Sequence, residues 1–133
     1  MKKPLVVRLA ACGNPDFGES PTRMFKDCYE KVSTIAEASQ VCRKFIKETI
    51  RPSGHSLGSG NWSGGQVYLA ESGAYVACIA YNGRAFSESV SFTEIPMDTP
   101  STALEPIANP RLSRGAPRQL PVAARRLLNA RDR

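Results

Sequence analysis

Residues 57–86, LGSGNWSGGQVYLAESGAYVACIAYNGRAF, contain the turns and apolar runs that decide the fold. A loop rich in glycine and serine leads into two mostly apolar runs, 66–71 and 74–81, which Ser72 and Gly73 separate. Short apolar runs bounded by turn formers are typical of β-strands. The second run is apolar on both faces, which predicts a central strand. Simple alternation would place Val76, Cys78 and Ala80 on one face of it and Tyr75, Ala77, Ile79 and Tyr81 on the other.

Asn82 and Gly83 follow the second run and give the strongest hairpin signal in the chain. This pair predicts a type I′ turn, because both central residues of that turn need positive φ. A last strand is predicted beyond the turn. In it Phe86, Val90 and Phe92 alternate with serines that would face solvent.

The N-terminal half of the chain predicts two strands and one helix. Residues 5–11 form a short apolar run after a proline, which indicates a first strand. Residues 23–32 fit either a strand or a helix, and a strand is favoured because the next helix begins almost at once. Thr34 and Glu37 have the spacing of a capping box. An apolar stripe at helical spacing follows it: Ile35, Ala38, Val41, Cys42, Phe45 and Ile46.

Three basic residues lie near the end of this helix and off its apolar stripe. They are Arg43, Lys44 and Lys47, whose charges suit the negative end of the helix dipole. Pro52 and Gly54 are expected to end the helix.

These elements predict an α+β fold in the chain order β-β-α-β-β-β. A small, mostly antiparallel sheet of four or five strands would carry one amphipathic helix on one face. We expect a single domain over residues 1–94. Residues 95–133 hold six of the ten prolines and few large apolar residues, which indicates a tail that is mostly disordered or is loosely attached coil. Within it, residues 121–131 could form a short basic helix.

The charge of the chain is concentrated at its C-terminal end. Residues 1–106 hold eleven basic and eleven acidic residues, so the net charge of +6 comes from residues 107–133. Residues 107–133 hold seven arginines and one acidic residue, Asp132. The pattern is a neutral domain with a basic tail, and it excludes a simple acidic mimic of DNA.

The cysteine and histidine pattern predicts no metal site. Cys12, Cys28, Cys42 and Cys78 lie far apart and His55 is the only histidine, whereas structural zinc sites show close ligand pairs. An even number of cysteines would permit two disulfides, but scattered thiols in a reducing compartment are the simpler interpretation. Cys42 and Cys78 stand at positions patterned like small core residues.

The N-terminus allows a lipoprotein signal as an alternative to a cytoplasmic location. Two lysines precede the sequence LAACG at residues 9–13, but Arg8 interrupts the apolar stretch before it. Signal cores need roughly 7–15 uninterrupted apolar residues, and membrane spans need about 20. A cytoplasmic protein without a membrane span is therefore expected.

Four motifs together resemble a known family. They are GNPDFG at residues 13–18, IAEAS at 35–39, LGSGNWSGGQVY at 57–68 and YNGR at 81–84. The pattern is similar to that of small proteins from proteobacterial plasmids, phages and integrative elements, most of which have no assigned function. The resemblance covers about residues 5–86 and implies a β-β-α-β-β order and an accessory role in a mobile element. It transfers no catalytic residue, and it does not extend to the proline-rich tail.

Two features suggest catalysis or nucleotide binding but lack the residues that such chemistry needs. His55 lies among serines, yet a Ser–His nucleophile also needs an orienting acid and an oxyanion hole. The glycine loop follows a helix and leads into a strand, which is the reverse of a phosphate-binding loop, and it contains no lysine. We therefore expect a protein that is not an enzyme and that uses no cofactor.

Two sets of residues are the candidates for binding. Trp62, Tyr68, Tyr81 and Arg84 could form an aromatic and cationic surface for a partner, although aromatic residues of a small domain commonly fill the core. The second set could contact phosphates or an acidic protein: Arg111, Arg114, Arg118, Arg125, Arg126 and Arg131.

The function expected from the sequence is that of a non-catalytic accessory protein of a mobile element, acting through protein–protein contacts. Inhibition of a host defence system is one such task. The alternative is an accessory protein that binds nucleic acid through its arginine-rich tail, and an enzyme ranks third.

Overall fold

The computed structural model describes residues 3–11, 28–50, 62–87, 93–107, 116–122 and 124–125. These residues form one helix and a six-stranded antiparallel sheet, which confirms the α+β prediction. The strands pair in the order β2-β1-β3-β4-β5-β6. Their bounds are β1 Leu5–Leu9, β2 Cys28–Val32, α1 Ile35–Phe45, β3 Gln66–Leu69, β4 Tyr75–Ile79, β5 Ala85–Ser87 and β6 Thr93–Ile95.

The helix begins where the capping pattern places it. The Thr34 side chain accepts a hydrogen bond from the Glu37 backbone N–H at 3.0 Å, which satisfies one of the unpaired donors of the first turn. Ile35, Ala38 and Cys42 are buried against the apolar residues of β1, β3 and β4. The chain then continues as a π-helix over Ile46–Ile50. The predicted end at Pro52 and Gly54 lies outside the described residues.

The C-terminal part of the sheet differs from the single last strand predicted over residues 86–92. β5 and β6 pair antiparallel, with Ala85 opposite Ile95 and Ser87 opposite Thr93, so the chain reverses direction between them. The predicted strand overlaps β5 at Phe86 and Ser87, and β6 begins after its predicted end. Alternation of apolar and polar residues does not reveal such a reversal. Residues 88–92 lie outside the described residues, as do residues 23–27 of the predicted second strand.

A β-bulge changes the face assignment of the central strand. β4 lies between β3 and β5 and is buried throughout, as predicted. Val67 pairs with Ala77 but Tyr68 pairs with Tyr75, so β4 has one extra residue, Val76, between the two pairs. Val76 therefore packs on the helix side and Cys78 on the opposite side, which corrects the shared face predicted for them. Strict alternation fails wherever an extra residue interrupts the ladder.

The turn after β4 is a hairpin turn of a different type from the one predicted. Gly83 donates to the Ala80 carbonyl at 2.9 Å, and Ala80 donates to the Arg84 carbonyl at 2.8 Å. Gly83 has a φ of 92°, whereas no described residue other than glycine has positive φ. Asn82 is thus not in the left-handed region, and the geometry is a type I turn followed by a glycine bulge rather than type I′. The Asn82 side chain instead accepts a hydrogen bond from the Arg84 N–H at 3.0 Å.

The face of the sheet opposite the helix is covered by residues from the C-terminal part of the chain. We call Ile107 and residues 116–122 and 124–125 the C-terminal cover. Ile107 donates to the Tyr75 carbonyl at 2.9 Å and Leu120 to the Gly73 carbonyl at 2.8 Å. The buried Tyr68 hydroxyl donates to the Pro117 carbonyl at 2.6 Å. Leu120 and Ala124 are buried with the side chains of this face.

The predicted boundary at residue 94 falls inside β6. Beyond it, Leu104 is buried in the helix-side core and Leu120 in the core of the opposite face. The described parts of residues 95–125 therefore pack on the domain. The prediction for this segment was a mostly disordered tail or loosely attached coil. Their few apolar residues stand at irregular spacing and gave no periodic pattern to detect. Of the short helix predicted at 121–131, the structure describes a first turn, in which Arg125 donates to the Pro121 carbonyl at 3.1 Å.

Candidate binding cleft

A cavity of about 660 Å³ lies between the end of the helix and the hairpin turn that follows β4. We call it the basic cleft. Volumes of this size are typical of ligand sites. Its described lining residues are Arg43, Lys44, Ile46, Lys47, Glu48, Tyr81 and Asn82.

Hydrogen bonds fix the two walls of the basic cleft relative to each other. Arg43 Nη1 donates to the Asn82 carbonyl at 2.8 Å, and Ser39 Oγ donates to the Gly83 carbonyl at 2.6 Å. A side chain at position 83 would press on the helix, because a Cβ there would lie 3.0 Å from Arg43 Cδ. The glycine lets the turn lie directly on α1, so contacts within the chain hold the two walls together. Such preorganisation lowers the entropic cost of binding.

The floor of the basic cleft is apolar. Ile46 is buried in a cluster with Ala11, against which Phe45, Trp62 and Tyr81 pack. The Phe45 and Trp62 rings lie 6.0 Å apart between centroids, and Trp62 Nε1 donates to the Ile79 carbonyl at 2.9 Å. Ile46 and Tyr81 of this cluster also line the cleft. The floor is thus held in place by packing and by the indole hydrogen bond.

The rim of the basic cleft is mostly cationic. Arg43, Lys44 and Lys47 are exposed and stand with Glu48, the one carboxylate among the described lining residues. Cations in the last turn of a helix also stabilise its dipole, which is the role that the sequence assigned to them. The π-helix that carries Lys47 and Glu48 is a rare conformation that occurs frequently at functional sites.

The structure separates the four residues of the predicted aromatic surface. Trp62 and Tyr81 belong to the same cluster beside the basic cleft. Tyr68 is fully buried on the opposite face of the sheet, beneath the C-terminal cover. Arg84 is exposed beyond the turn, with its Nε 3.9 Å from a Glu94 carboxylate oxygen. A single stacking surface made of all four is therefore not present.

Two of the six tail arginines proposed for binding lie among the described residues. Arg118 is exposed. The guanidinium of Arg125 donates to the Glu71 carbonyl and so links the C-terminal cover to the turn after β3. Arg111, Arg114, Arg126 and Arg131 lie outside the described residues, as does His55.

A polar network lies buried between β1 and the residues that lead into β3. Arg8, which is 3% exposed, donates to the Ser63 carbonyl at 2.7 Å and to Gln66 Oε1 at 3.0 Å. Gln66 Nε2 also donates to the Ser63 carbonyl, at 3.1 Å. Because buried polar groups must find partners, this network fixes the path of residues 63–66. Its role is therefore structural.

The described thiols and carboxylates do not form a group that could hold a metal ion. Across the described ranges, no three histidine, cysteine or acidic side chains are grouped so as to hold a metal ion. Burial raises the pKa of the Cys42 thiol, which opposes formation of the reactive thiolate. No helix within the described ranges has the length and hydropathy needed to cross a membrane.

Comparison of the chain with protein-family models, with curated proteins and with solved structures found no match. The resemblance to proteins of mobile elements accordingly stays a prediction. The residues that sequence reasoning did not assign to a site are Arg43, Lys44 and Lys47. Their placement near an Asn-Gly turn depends on long-range packing, which the spacing of a single helix does not reveal.

Proposed function

We propose that this chain is a non-catalytic binding protein that acts through protein–protein contacts made at the basic cleft. The observation that carries the proposal is the combination of an apolar floor, Ile46 and Tyr81, with a cationic rim on a hydrogen-bonded frame. A concave site that offers both kinds of contact can bury an apolar side chain and fix its orientation with polar groups.

The lining residues suit binding better than catalysis. Nucleophilic catalysis needs a nucleophile and a base held within hydrogen-bond distance of each other. Among the described lining residues, Glu48 is the one carboxylate, and the others are cations, an amide and two apolar or aromatic side chains. Arginine and tyrosine, present in the lining as Arg43 and Tyr81, are common anchors of protein interfaces.

The biological setting that we propose is a mobile genetic element, with the protein in the cytoplasm. This part of the proposal rests on the four motifs that resemble proteins of plasmids, phages and integrative elements. Inhibition of a host defence system would be one use of such a binding protein.

A second candidate function is binding of nucleic acid through the tail. It is favoured by one observation, the excess of six positive charges within residues 107–133. Lysine and arginine contacts to phosphates give affinity that falls steeply with salt and reads no sequence.

The experiment that tests the first proposal is affinity capture with the full chain from a nuclease-treated bacterial extract. We expect a specific protein to be retained by the wild type and lost from the double variant Lys44→Gln/Lys47→Gln. The matched control is Lys3→Gln/Lys31→Gln, which removes two exposed positive charges outside the basic cleft. If nuclease treatment abolishes all retention, or if both variants retain the same proteins, the proposal is wrong.

The second candidate is tested by binding of DNA and RNA across a salt series. The comparison should use glutamine in place of Arg111, Arg114, Arg118, Arg126 and Arg131 in the full chain. A truncation near residue 94 would be misleading, because it cuts β6 and removes the buried Leu104 and Leu120. Arg125 is kept because its guanidinium contacts Glu71. Loss of salt-sensitive binding in the variant would favour the nucleic-acid function.

A further inference from the structure

We propose that the basic cleft binds a short acidic peptide segment of its partner, with one apolar side chain of the segment held between carboxylates. This inference rests on the proposed function and specifies the chemistry of the partner. It follows from three properties of the cleft, namely its floor, its rim and the charge of its surroundings.

The floor provides the site for the apolar side chain. Ile46 and Tyr81 line the cavity and belong to the same cluster as Phe45 and Trp62. An apolar side chain placed on them would leave water without displacing any residue of the domain, since the cavity already measures about 660 Å³. Burial of that side chain would favour the complex through the hydrophobic effect.

The rim provides the sites for the carboxylates. Arg43 has five N–H donors, and its bond to the Asn82 carbonyl holds the guanidinium in a defined orientation at the cleft. An arginine oriented in this way can bind a carboxylate through two parallel hydrogen bonds. Lys44 and Lys47 are exposed on the same wall and can reach further carboxylates. The rim thus matches a segment that has acidic residues on both sides of its anchor.

The charge around the basic cleft favours a peptide over a nucleic acid. A phosphate backbone carries charge at every step and needs a basic track that extends along it. Here Glu48 lies within the lining, Glu94 accompanies the nearby Arg84, and residues 1–106 carry no net charge. Three cations confined to one cavity match a few carboxylates rather than a continuous line of phosphates.

The test is selection of a display library of short random peptides on the immobilised full chain. Selected peptides are then labelled, and their affinities for the wild type and two variants are measured by fluorescence anisotropy. We expect them to combine acidic residues with an apolar one and to bind Lys44→Gln/Lys47→Gln at least about tenfold more weakly, a change of about 1.4 kcal/mol. The control Lys3→Gln/Lys31→Gln should bind within about twofold of the wild type.

Three further measurements make the result unambiguous. Circular dichroism and thermal unfolding of each variant show whether the exposed substitutions leave the fold intact. An acidic peptide in which glutamine replaces glutamate should lose binding, and one in which alanine replaces the apolar anchor should lose it as well. A single-stranded oligonucleotide added as competitor should not displace the peptide.

The outcomes separate failure of this inference from failure of the proposed function. If the selected peptides need Lys44 and Lys47 but carry no acidic residues, the partner chemistry is wrong and the protein-binding function stands. If no peptide is selected, or if selected peptides bind the cleft variant as tightly as the wild type, the inference is overturned. The capture experiment then decides separately whether the chain binds a protein at all. If Lys44 and Lys47 act only on the helix dipole, Lys44→Gln/Lys47→Gln loses stability but keeps its affinity for the peptides, and the inference is overturned.

Discussion

On one face of the sheet lies α1, and on the other lie Ile107 and the rest of the C-terminal cover. The helix buries a regular stripe that begins at Ile35 behind a capped N-terminus. The cover has almost no regular structure and reaches the sheet through single contacts, such as Leu120 on Gly73 and Pro117 on Tyr68. Both faces are nevertheless buried over the central strands β1, β3 and β4. Irregular chain can therefore cover a sheet when each of its apolar residues packs at one defined place.

This comparison bears directly on function. A sheet with an open aromatic face could stack bases or accept a partner, but Tyr68 and Tyr75 are buried beneath the cover. The basic cleft stands at the helix side, where α1 meets the hairpin turn. Recognition by the described part of the chain is therefore expected at the cleft rather than on a sheet face.

Removal of the part of the cover beyond Ile107 is the change with the largest expected effect. A chain that ends after Ile107 loses the buried Leu120 and Ala124 and the carbonyl that accepts from Tyr68. We expect the free energy of unfolding to fall by at least about 5 kcal/mol, since one buried leucine alone contributes about 2–5 kcal/mol. Urea unfolding followed by circular dichroism measures it. An unchanged midpoint would mean that the cover is not part of the folded domain.

The next largest effect is expected for Gly65→Ala. Gly65 directly precedes β3, whose side chains pack on both faces of the sheet. Gly65 has a φ of 98°, and a Cβ there would lie 2.1 Å from the Ile79 carbonyl oxygen. Backbone strain and the clash together should cost about 4 kcal/mol. Gly73→Ala is the matched control, because Gly73 has a φ of 77° but its nearest neighbours lie at 3.6 Å. It should lose only the strain, about 1–2 kcal/mol, and equal losses for the two variants would contradict this account.

A pair of single substitutions compares the two faces directly. Ile35→Ala removes a buried side chain of the helix, and Leu120→Ala removes a buried side chain of the cover. We expect each to cost about 3 kcal/mol, because both leave a cavity in a packed layer. Chemical denaturation of both variants under the same conditions makes the comparison. A loss below about 0.5 kcal/mol for Leu120→Ala alone would show that the cover contributes little, as surface substitutions do.

The smallest expected effect concerns Cys42 in the helix-side core. Burial raises the pKa of its thiol above the value in the unfolded chain, so its contribution to stability is complete below the unfolded pKa of about 8.5 and is lost as the pH rises above it. We expect a loss of up to about 1.4 kcal/mol per pH unit in the wild type relative to Cys42→Ala. Urea unfolding from pH 7 to 10 measures the difference between the two proteins. Parallel curves would contradict a buried, protonated thiol.

The helix side of the fold could be predicted from the sequence, and much of the other side could not. Thr34, Glu37 and the stripe beginning at Ile35 act within a few residues of one another, so their pattern is visible in the chain. The bulge at Val76 and the positions of Leu104 and Leu120 depend on pairing between distant segments. The turn at Asn82 was located correctly and its type was not, because the asparagine side chain takes a hydrogen bond that the φ rule does not consider.

The candidate site was predictable only in part. Trp62 and Tyr81 were selected as binding residues and do lie together beside the basic cleft. Tyr68 was selected with them because it is aromatic, but its place in the strand directs it to the opposite face. Arg43, Lys44 and Lys47 were assigned to the helix dipole, which a local pattern can suggest. Arg43 contacts the hairpin turn, and the two lysines line the same cavity as that turn, only when the chain has folded.

Hydrogen exchange of the full chain, alone and with the protein recovered by capture, is the most direct test of the central claim. The claim is that the chain itself covers both faces of the central strands β1, β3 and β4 and that recognition occurs at the basic cleft. We predict that binding slows exchange at residues 43–48 and 81–84 and leaves β3 and residues 116–122 unchanged. Slowed exchange in β3 and the C-terminal cover, with no change around the cleft, would contradict the account.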